Sequence, residues 1–163
     1  MYDVVVIGGG IVGTAILNKL TRLGLKTGLI EINNDVGFGA SKANTALVHS
    51  GIDCLPGTLK ARLNVRGNEL FEEYAKRLYV PFKRTGHLIV GNTQEKLQEL
   101  MQRASKNGVK GVRLVDYQTL KKLEPNISPD ITMGLFIPSG GIVASYELAV
   151  AQAEEAIVNG HLF

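Results

Sequence analysis

Apolar positions set the frame of this chain. Residues 2–7 (YDVVVI) form a β-branched run that reads as a buried strand, and residues 11–23 repeat apolar side chains at helical spacing. Residues 26–31 (KTGLIE) read as a second strand, so the chain opens with a βαβ unit of about thirty residues. From Gly57 a long amphipathic helix is predicted, its stripe carried by Leu59, Leu63, Leu70, Phe71, Tyr74 and Leu78, with a gap at Gly67 and a stop at Pro81.

Beyond Pro81 the pattern changes to short mixed elements. Residues 82–91 read as a strand or tight hairpin turning near Gly86. Thr93 is placed to cap a helix over 94–107 that Asn107-Gly108 stops. A short strand at 112–116, a helix at 117–125 ended by Pro125, and a strand at 131–138 follow. PSGGIVA is expected as a loop, and Ser145 as the cap of a helix running to Asn159 with Gly160 as its stop. His161 precedes what reads as the start of one more strand, so the chain is expected to be a fragment of a longer protein.

The run NNDVGFGASKANTALVHSG, 33–51, lacks either periodicity. It reads as a long Gly-, Asn- and Ser-rich loop with a helical turn near 42–46. The fold class is therefore α/β: a Rossmann-like βαβ unit with part of an inserted α+β subdomain, truncated.

Composition narrows the function classes. Eighteen basic and fifteen acidic residues leave a net charge of +3. The excess is dispersed, which argues against nucleic acid as a partner and fits an anionic small molecule. A lone cysteine, Cys54, forms no internal disulfide and fits a reducing cytoplasm. No stretch reaches the ~20 apolar residues of a membrane span, which leaves peripheral contact with the inner membrane face open. The apolar start is broken by Gly8, Gly9, Gly10 and Gly13 and has no basic leader, so it is not read as a signal peptide. Neither a metal-ligand cluster nor a Ser-His-Asp arrangement stands out.

The chemistry lies in the glycines. Gly8, Gly10 and Gly13 form G-x-G-x-x-G between a strand and a helix. The first permits a tight turn, the second a close approach of backbone to pyrophosphate, and the third close packing of helix on strand. The helix N-terminus favours an anion. Glu31 ends the second strand about twenty residues on, where a carboxylate accepts from both ribose hydroxyls and repels a 2′-phosphate. These residues leave NAD and FAD open. The polar 33–51 run suits FAD, whose ribityl chain and ring reach well past the pyrophosphate.

The combination of YDVVVIGGGIVGTAILNKL, LIEINNDVGFGASKANTALVHSG, PGTLKARLNVRGNELFEEYAKRLYVPFKRTGHLIVG and PSGGIVASYELAVAQAEEAIVNG resembles the FAD-dependent D-amino-acid oxidase/glycerol-3-phosphate dehydrogenase superfamily over nearly the full chain. Within it the chain is most similar to glycerol-3-phosphate dehydrogenase-like proteins and L-2-hydroxyglutarate oxidases. The resemblance implies FAD as cofactor and a small hydroxy acid or glycerol 3-phosphate as substrate. It implies hydride transfer from a hydroxyl-bearing (or amine-bearing) carbon to the flavin, with the electron acceptor unassigned; the alternatives are an L-2-hydroxyglutarate or amino-acid oxidase-like flavoenzyme, or a non-catalytic nucleotide-binding fragment.

It also implies roles by position. Gly8, Gly10 and Gly13 would hold the pyrophosphate, with Ile11 and Val12 adding N–H groups, and Glu31 the adenosine ribose. Ser41, Lys42, Asn44 and Thr45 would lie along the ribityl chain and pyrophosphate. Val48, His49, Ser50 and Gly51 would approach the ring. His49 would orient substrate or polarise the flavin as the catalytic side chain, or else hydrogen-bond a loop carbonyl. His87 reads as a strand residue that could instead face the substrate pocket, Lys83 and Arg84 as solvated strand-end charges or else contacts for a substrate anion, and Arg62 and Arg66 as surface or inter-domain partners. The expected division is 1–80 for the FAD portion with the long helix, 81–140 for part of the substrate subdomain, and 141–163 for a return to the FAD portion.

Overall fold

A computed structural model describes residues 1–91 and 93–159. The elements run β1 (Val4–Ile7), α1 (Ile11–Thr21), β2 (Thr27–Ile30), β3 (Leu47–Val48), α2 (Leu59–Arg77), β4 (Phe82–Lys83), β5 (His87–Gly91), α3 (Gln94–Asn107), β6 (Arg113–Asp116), α4 (Tyr117–Leu123), β7 (Met133–Ile137), β8 (Gly141–Val143) and α5 (Ser145–Val158). Gly160 and His161 lie outside the described residues. The chain is mixed α/β, as expected, and the opening βαβ unit is present: β1 and β2 pair in parallel from Val4↔Thr27 to Ile7↔Ile30. The remaining strands form two sheets of order β3-β8-β4 and β5-β7-β6.

The chain divides into two compact units, one of residues 1–47, 73–82 and 143 onward, the other of 48–72 and 83–142. Residues 48–72 thus cluster with 83–142 rather than with the βαβ unit.

In the first unit, Val6 and Leu29 of the parallel pair meet Leu17 of α1, Val36, and Ala153 and Ala156 of α5. Alanines at 149, 153 and 156 let α5 lie close to α1. A polar seam runs beside this core. Thr14 Oγ1 donates to Gln152 Oε1 at 2.6 Å, and Asn18 Nδ2 donates to the Gln152 carbonyl at 3.0 Å and to Glu155 Oε2 at 2.6 Å. Gln152 Nε2 donates to the Tyr74 hydroxyl at 3.0 Å, and Arg22 and Arg77 both pair with Glu155. Burying Thr14, Asn18 and Gln152 is tolerable because each has a partner.

In the second unit, the antiparallel sheet β5-β7-β6 aligns Ile89 with Leu135 and Leu114 with Leu135 from the other side. Leu97 and Ala104 of α3 join Leu135, Ile137, Ile52 and Val109 in one core. Asp116 caps α4 by accepting from the Thr119 N–H.

Several expectations are corrected. Strand β1 is not buried on both faces: Val5 is 45% and Ile7 85% exposed. Helix α2 ends at Arg77, before Pro81. Tyr79 there takes a left-handed conformation (φ 56°), with Val80 N–H bonded to the Ala75 carbonyl and Tyr79 N–H to that of Lys76. This is a Schellman end built on a non-glycine residue. The inward line of α2 runs through Ala61, Asn68, Ala75 and Leu78, while Leu59, Leu63 and Leu70 are exposed.

Residues 82–91 do not form a hairpin, because β4 pairs with β8 and β5 with β7. The PSGGIVA segment contains β8 rather than loop alone. The turns of the long loop fall at 36–42, not 42–46. The Thr93 side chain makes no capping bond, although Gly108 ends α3 in the left-handed region as expected. Ser145 is the first residue of α5, not its cap; Ala144 holds that position.

Candidate functional site

The glycine loop is built around Gly9. Strand β1 stops when Gly8 turns at φ +101°, its N–H still donating to the Ile30 carbonyl at 2.7 Å. Gly9 N–H donates to Glu31 Oε2 at 2.5 Å, and the Gly9 carbonyl accepts from Gly37 N–H at 2.8 Å. The segment leaving β2 is therefore stitched to the loop at both ends. A Cβ on Gly9 would stand 3.0 Å from Glu31 Oε2 and 3.1 Å from Val36, so a side chain there would press on the Glu31 carboxylate and Val36.

Gly13 is tighter. A Cβ built on it would lie 1.9 Å from the Gly8 carbonyl oxygen, which requires the helix to pass directly over the turn. Gly10 is the N-cap of α1 and carries no capping side chain. Ser41 replaces one: its Oγ accepts the Ile11 N–H at 2.9 Å. The N–H groups of Val12 and Gly13, in the first turn, have no intrahelical acceptor.

Glu31 sits at the C-terminal end of β2. Its Oε1 accepts from the Asn33 N–H at 2.9 Å and from Asn33 Nδ2 at 2.7 Å. The Asn33 N–H, then the Gly9 N–H and the Asn33 amide, hold the Glu31 carboxyl below the usual glutamate range. The group is an anion at neutral pH, with both oxygens oriented.

The rest of the polar loop is self-organised. Asn44 Nδ2 donates to the carbonyls of Ala40 (3.0 Å) and Ser41 (2.7 Å), while its Oδ1 accepts from Ala46 N–H at 2.7 Å, supporting Ala46 at φ 59°. Ser145 Oγ donates to the Ser41 carbonyl at 2.9 Å, which is why it does not cap α5. Lys42 Nζ lies 3.8 Å above the Phe38 ring, and Phe38 packs edge-on against Tyr146 at 6.1 Å. Thr45 is exposed.

Val48, His49, Ser50 and Gly51 belong to the second unit. Val48, Ser50 and Gly51 are buried and His49 is exposed, so the backbone turns inward while the imidazole stands out. Gly51 (φ +89°) faces Val65 so closely that a Cβ would lie 2.8 Å from it. The His49 and His87 rings meet edge-on at 6.3 Å. Burial first, and then the His49 charge, lower the His87 pKa against a raising bond to the Gly141 carbonyl.

Arg84 is not a solvated strand end. Its Nη1 donates to Asn68 Oδ1 at 2.9 Å, its Nη2 to the Asn68 carbonyl at 3.1 Å, and it also bonds the Ser139 carbonyl. Lys83 is exposed, as expected for a strand-end charge. Arg66 pairs with Glu69 at 3.2 Å on the surface. Cys54 is buried.

Sequence reasoning passed over Gly9, Asn33, Gly37, Asn68 and the His49–His87 contact. Gly9 and Gly37 offered a signal, since extra glycines beside the motif mark further close approaches. Asn68 offered only the oddity of a polar residue between apolar helical positions.

A parallel βαβ unit whose glycine turn is closed over a helix N-terminus, with an oriented acid at the end of the next strand, defines a dinucleotide-binding α/β protein. The sequence matches the model of the DAO family, FAD dependent oxidoreductase, over residues 3–163. The chain belongs to this family, whose cofactor is FAD. It is 39% identical over 163 residues to a glycerol 3-phosphate dehydrogenase of Caloramator mitchellensis, covering 98% of this chain and 34% of that one. Human mitochondrial L-2-hydroxyglutarate dehydrogenase is 35% identical over 159 residues, covering 94% and 34%. A dithionite-reduced L-alpha-glycerophosphate oxidase from Mycoplasma pneumoniae with FAD bound superposes with a TM-score of 0.92 at 31% identity, over 98% of this chain and 43% of that one. The chain thus spans about a third of the length of the curated relatives it matches. No helix among the described residues is long and apolar enough to cross a membrane.

Proposed function

We propose that this chain builds the adenosine-diphosphate-holding part of a flavoenzyme that oxidises a small hydroxyl-bearing substrate, with glycerol 3-phosphate first. The observation that carries the reading is the closure of Gly13 over the Gly8 carbonyl, beside an acid oriented by Gly9. That close packing sets the free first-turn N–H groups of α1 beside the glycine turn, which is where a pyrophosphate is held at a helix N-terminus. The residues present fit FAD.

Gly8, Gly10 and Gly13 face the pyrophosphate in this reading, and the Ile11 and Val12 N–H groups donate to it. Ser41 Oγ already accepts the Ile11 N–H, so the hydroxyl holds that amide in place until the phosphate competes for it. Glu31 exchanges its Asn33 bonds for the two ribose hydroxyls. Ser41, Lys42, Asn44 and Thr45 border the ribityl side, with Lys42 leaving Phe38 to meet a phosphate oxygen. Val48, Ser50 and Gly51 form the backbone wall nearest the ring. His49 hydrogen-bonds the substrate hydroxyl through its imidazole. Residues 81–140 line the substrate side, and 141–163 return to the FAD portion. When bound, FAD supplies the hydride acceptor for the carbon that bears the hydroxyl.

Support for glycerol 3-phosphate comes from the 39% identity to a dehydrogenase named for it. The 35% identity to a human L-2-hydroxyglutarate dehydrogenase supports that hydroxy acid as the second reading. The test is to load the protein with FAD, record its visible spectrum, and add each substrate anaerobically. Bleaching by glycerol 3-phosphate but not L-2-hydroxyglutarate supports the first reading, and the reverse supports the second. A chain that takes up FAD but bleaches with neither is a non-catalytic nucleotide-binding module. One that takes up no FAD overturns the proposal.

A further inference from the structure

The second unit holds a polar device for which a cofactor-binding fold has no general need. Asn68 lies on α2 and is only 7% exposed, while its neighbours Leu63 and Leu70 on the same helix face outward. An amide costs free energy when buried unless every polar atom is bonded. Here all are. Asn68 Nδ2 donates to the His49 carbonyl at 2.9 Å and to the Ser139 carbonyl at 2.9 Å, and Oδ1 accepts from Arg84 Nη1 at 2.9 Å.

Those partners leave the amide one orientation. A flipped side chain would set its oxygen against two carbonyls and its N–H groups against a guanidinium. Arg84 is fixed in turn: it donates to the Asn68 and Ser139 carbonyls and lies 3.5 Å from Glu72.

Both ends of this clamp lead to His49. One N–H holds the His49 carbonyl itself. The other holds the carbonyl of Ser139, in the turn between β7 and β8 that runs through Gly140 into Gly141 beside the His87 ring. A Cβ on Gly140 would fall 2.4 Å from that ring, and His87 Nε2 lies 3.4 Å from the Gly141 carbonyl. His87 then presents its ring to that of His49. The His49 backbone and the surface its imidazole leans on are thus set by one side chain.

We propose that Asn68, locked by Arg84, is a positioning residue for His49. The functional half of this inference rests on the reading that His49 meets the substrate. A helix residue that merely filled the core would be apolar, and one that only pinned a loop would need one carbonyl, not one from each of the two segments that define the imidazole's position.

The test is Asn68→Asp. It keeps the side-chain shape and an acceptor for Arg84 but removes both donated bonds. With histidine-labelled protein, the magnetisation transfer between the His49 and His87 rings is expected to disappear and the His49 ring resonances to shift, while the core signals of Leu97 and Leu135 stay in place. In the FAD-loaded protein, substrate reduction of the flavin is expected to slow about tenfold at saturating substrate, since small misplacements of a reacting group act on kcat. Asn68→Ser keeps a single donor and serves if the aspartate variant does not fold, with an intermediate shift expected. Unchanged His49 and His87 signals in a folded variant overturn the positioning role. So does displacement of the Leu97 and Leu135 signals in both variants, which would make Asn68 a support of the whole unit. His49→Gln tests the underlying reading separately. If flavin reduction is unaffected there, the role of His49 fails while the ring-position result stands.

Discussion

Gly13 sits directly over the carbonyl oxygen of Gly8, leaving 1.9 Å where a methyl group would have to be. In the proposed reading the backbone that closes the turn also receives the cofactor, so a side chain here would damage fold and binding together. Gly13→Ala is expected to cost about 3 kcal/mol or more of stability, at the upper end of overpacking, because a backbone carbonyl rather than a flexible side chain must move. FAD uptake should be lost with it. Gly39→Ala is the control: nothing lies within 4 Å of its Cβ position. Urea unfolding and flavin retention of the two variants check this, and equal effects would refute the close-approach argument.

Tyr79 pays a conformational penalty at the end of α2. It is 95% exposed and sits at φ 56°, the left-handed position that a Schellman end reserves for glycine. Tyr79→Gly is expected to stabilise the protein by about 0.5–1 kcal/mol, the relief of side-chain strain outweighing the extra freedom of the unfolded chain. Thermal unfolding reads the sign directly. A lower midpoint would mean that the tyrosine ring makes a contact worth more than the strain.

Thr14 and Gln152 are a coupled pair in the seam between α1 and α5. Thr14→Val leaves Gln152 Oε1 without its 2.6 Å donor, and the cost is expected near 2 kcal/mol, that of an unpaired buried acceptor. Replacing both, as Thr14→Val with Gln152→Leu, removes donor and acceptor together. The double variant is expected to cost about 1 kcal/mol less than the sum of the two single ones. A double-mutant cycle in urea gives the coupling, and strict additivity would mean the hydrogen bond contributes nothing.

What could be read from the chain depended on how locally each feature is encoded. The bounds of α3 carry their own signals, a polar start at Thr93-Gln94 and a left-handed Gly108, and they fall where expected. The glycine motif and Glu31 were legible for the same reason, since spacing alone places them at a strand end and a helix start. Strand β8 was not legible: three residues, Gly-Ile-Val, become a strand only because β3 and β4 come from far along the chain to pair with them. The face of α2 was legible at its C-terminal end, where Phe71, Tyr74 and Leu78 are buried or half-buried, and misread before it, where periodicity favours Leu59, Leu63 and Leu70 but Ala61 and Asn68 turn inward. Ser145 looks like a helix cap by type, but its hydroxyl donates to the Ser41 carbonyl and accepts from Asn44 Nδ2 instead. In the candidate site, the glycine turn was legible and the hydrogen bonds around His49 were not, because Asn68, Ser139 and Arg84 meet only after folding.

Glu31 predicts an acid-sensitive loop. Its carboxyl is held below the usual glutamate range, chiefly by Asn33 and then by Gly9. A group whose pKa is lower folded than unfolded contributes stability above its unfolded pKa and loses that contribution as pH falls through the folded one. The bond from Gly9 N–H to Glu31 is therefore expected to persist at neutral pH and to weaken only at pH values below about 4.5, the ordinary range for the group. The Gly9 amide signal followed from pH 7 downward should show a single transition below that value. Glu31→Gln keeps an acceptor for Gly9 but cannot titrate, so the transition should vanish. Neutral acceptors form weaker bonds than charged ones, so FAD should bind this variant about tenfold more weakly. A transition at or above 4.5, or one that survives in the glutamine variant, would show that another group governs the loop.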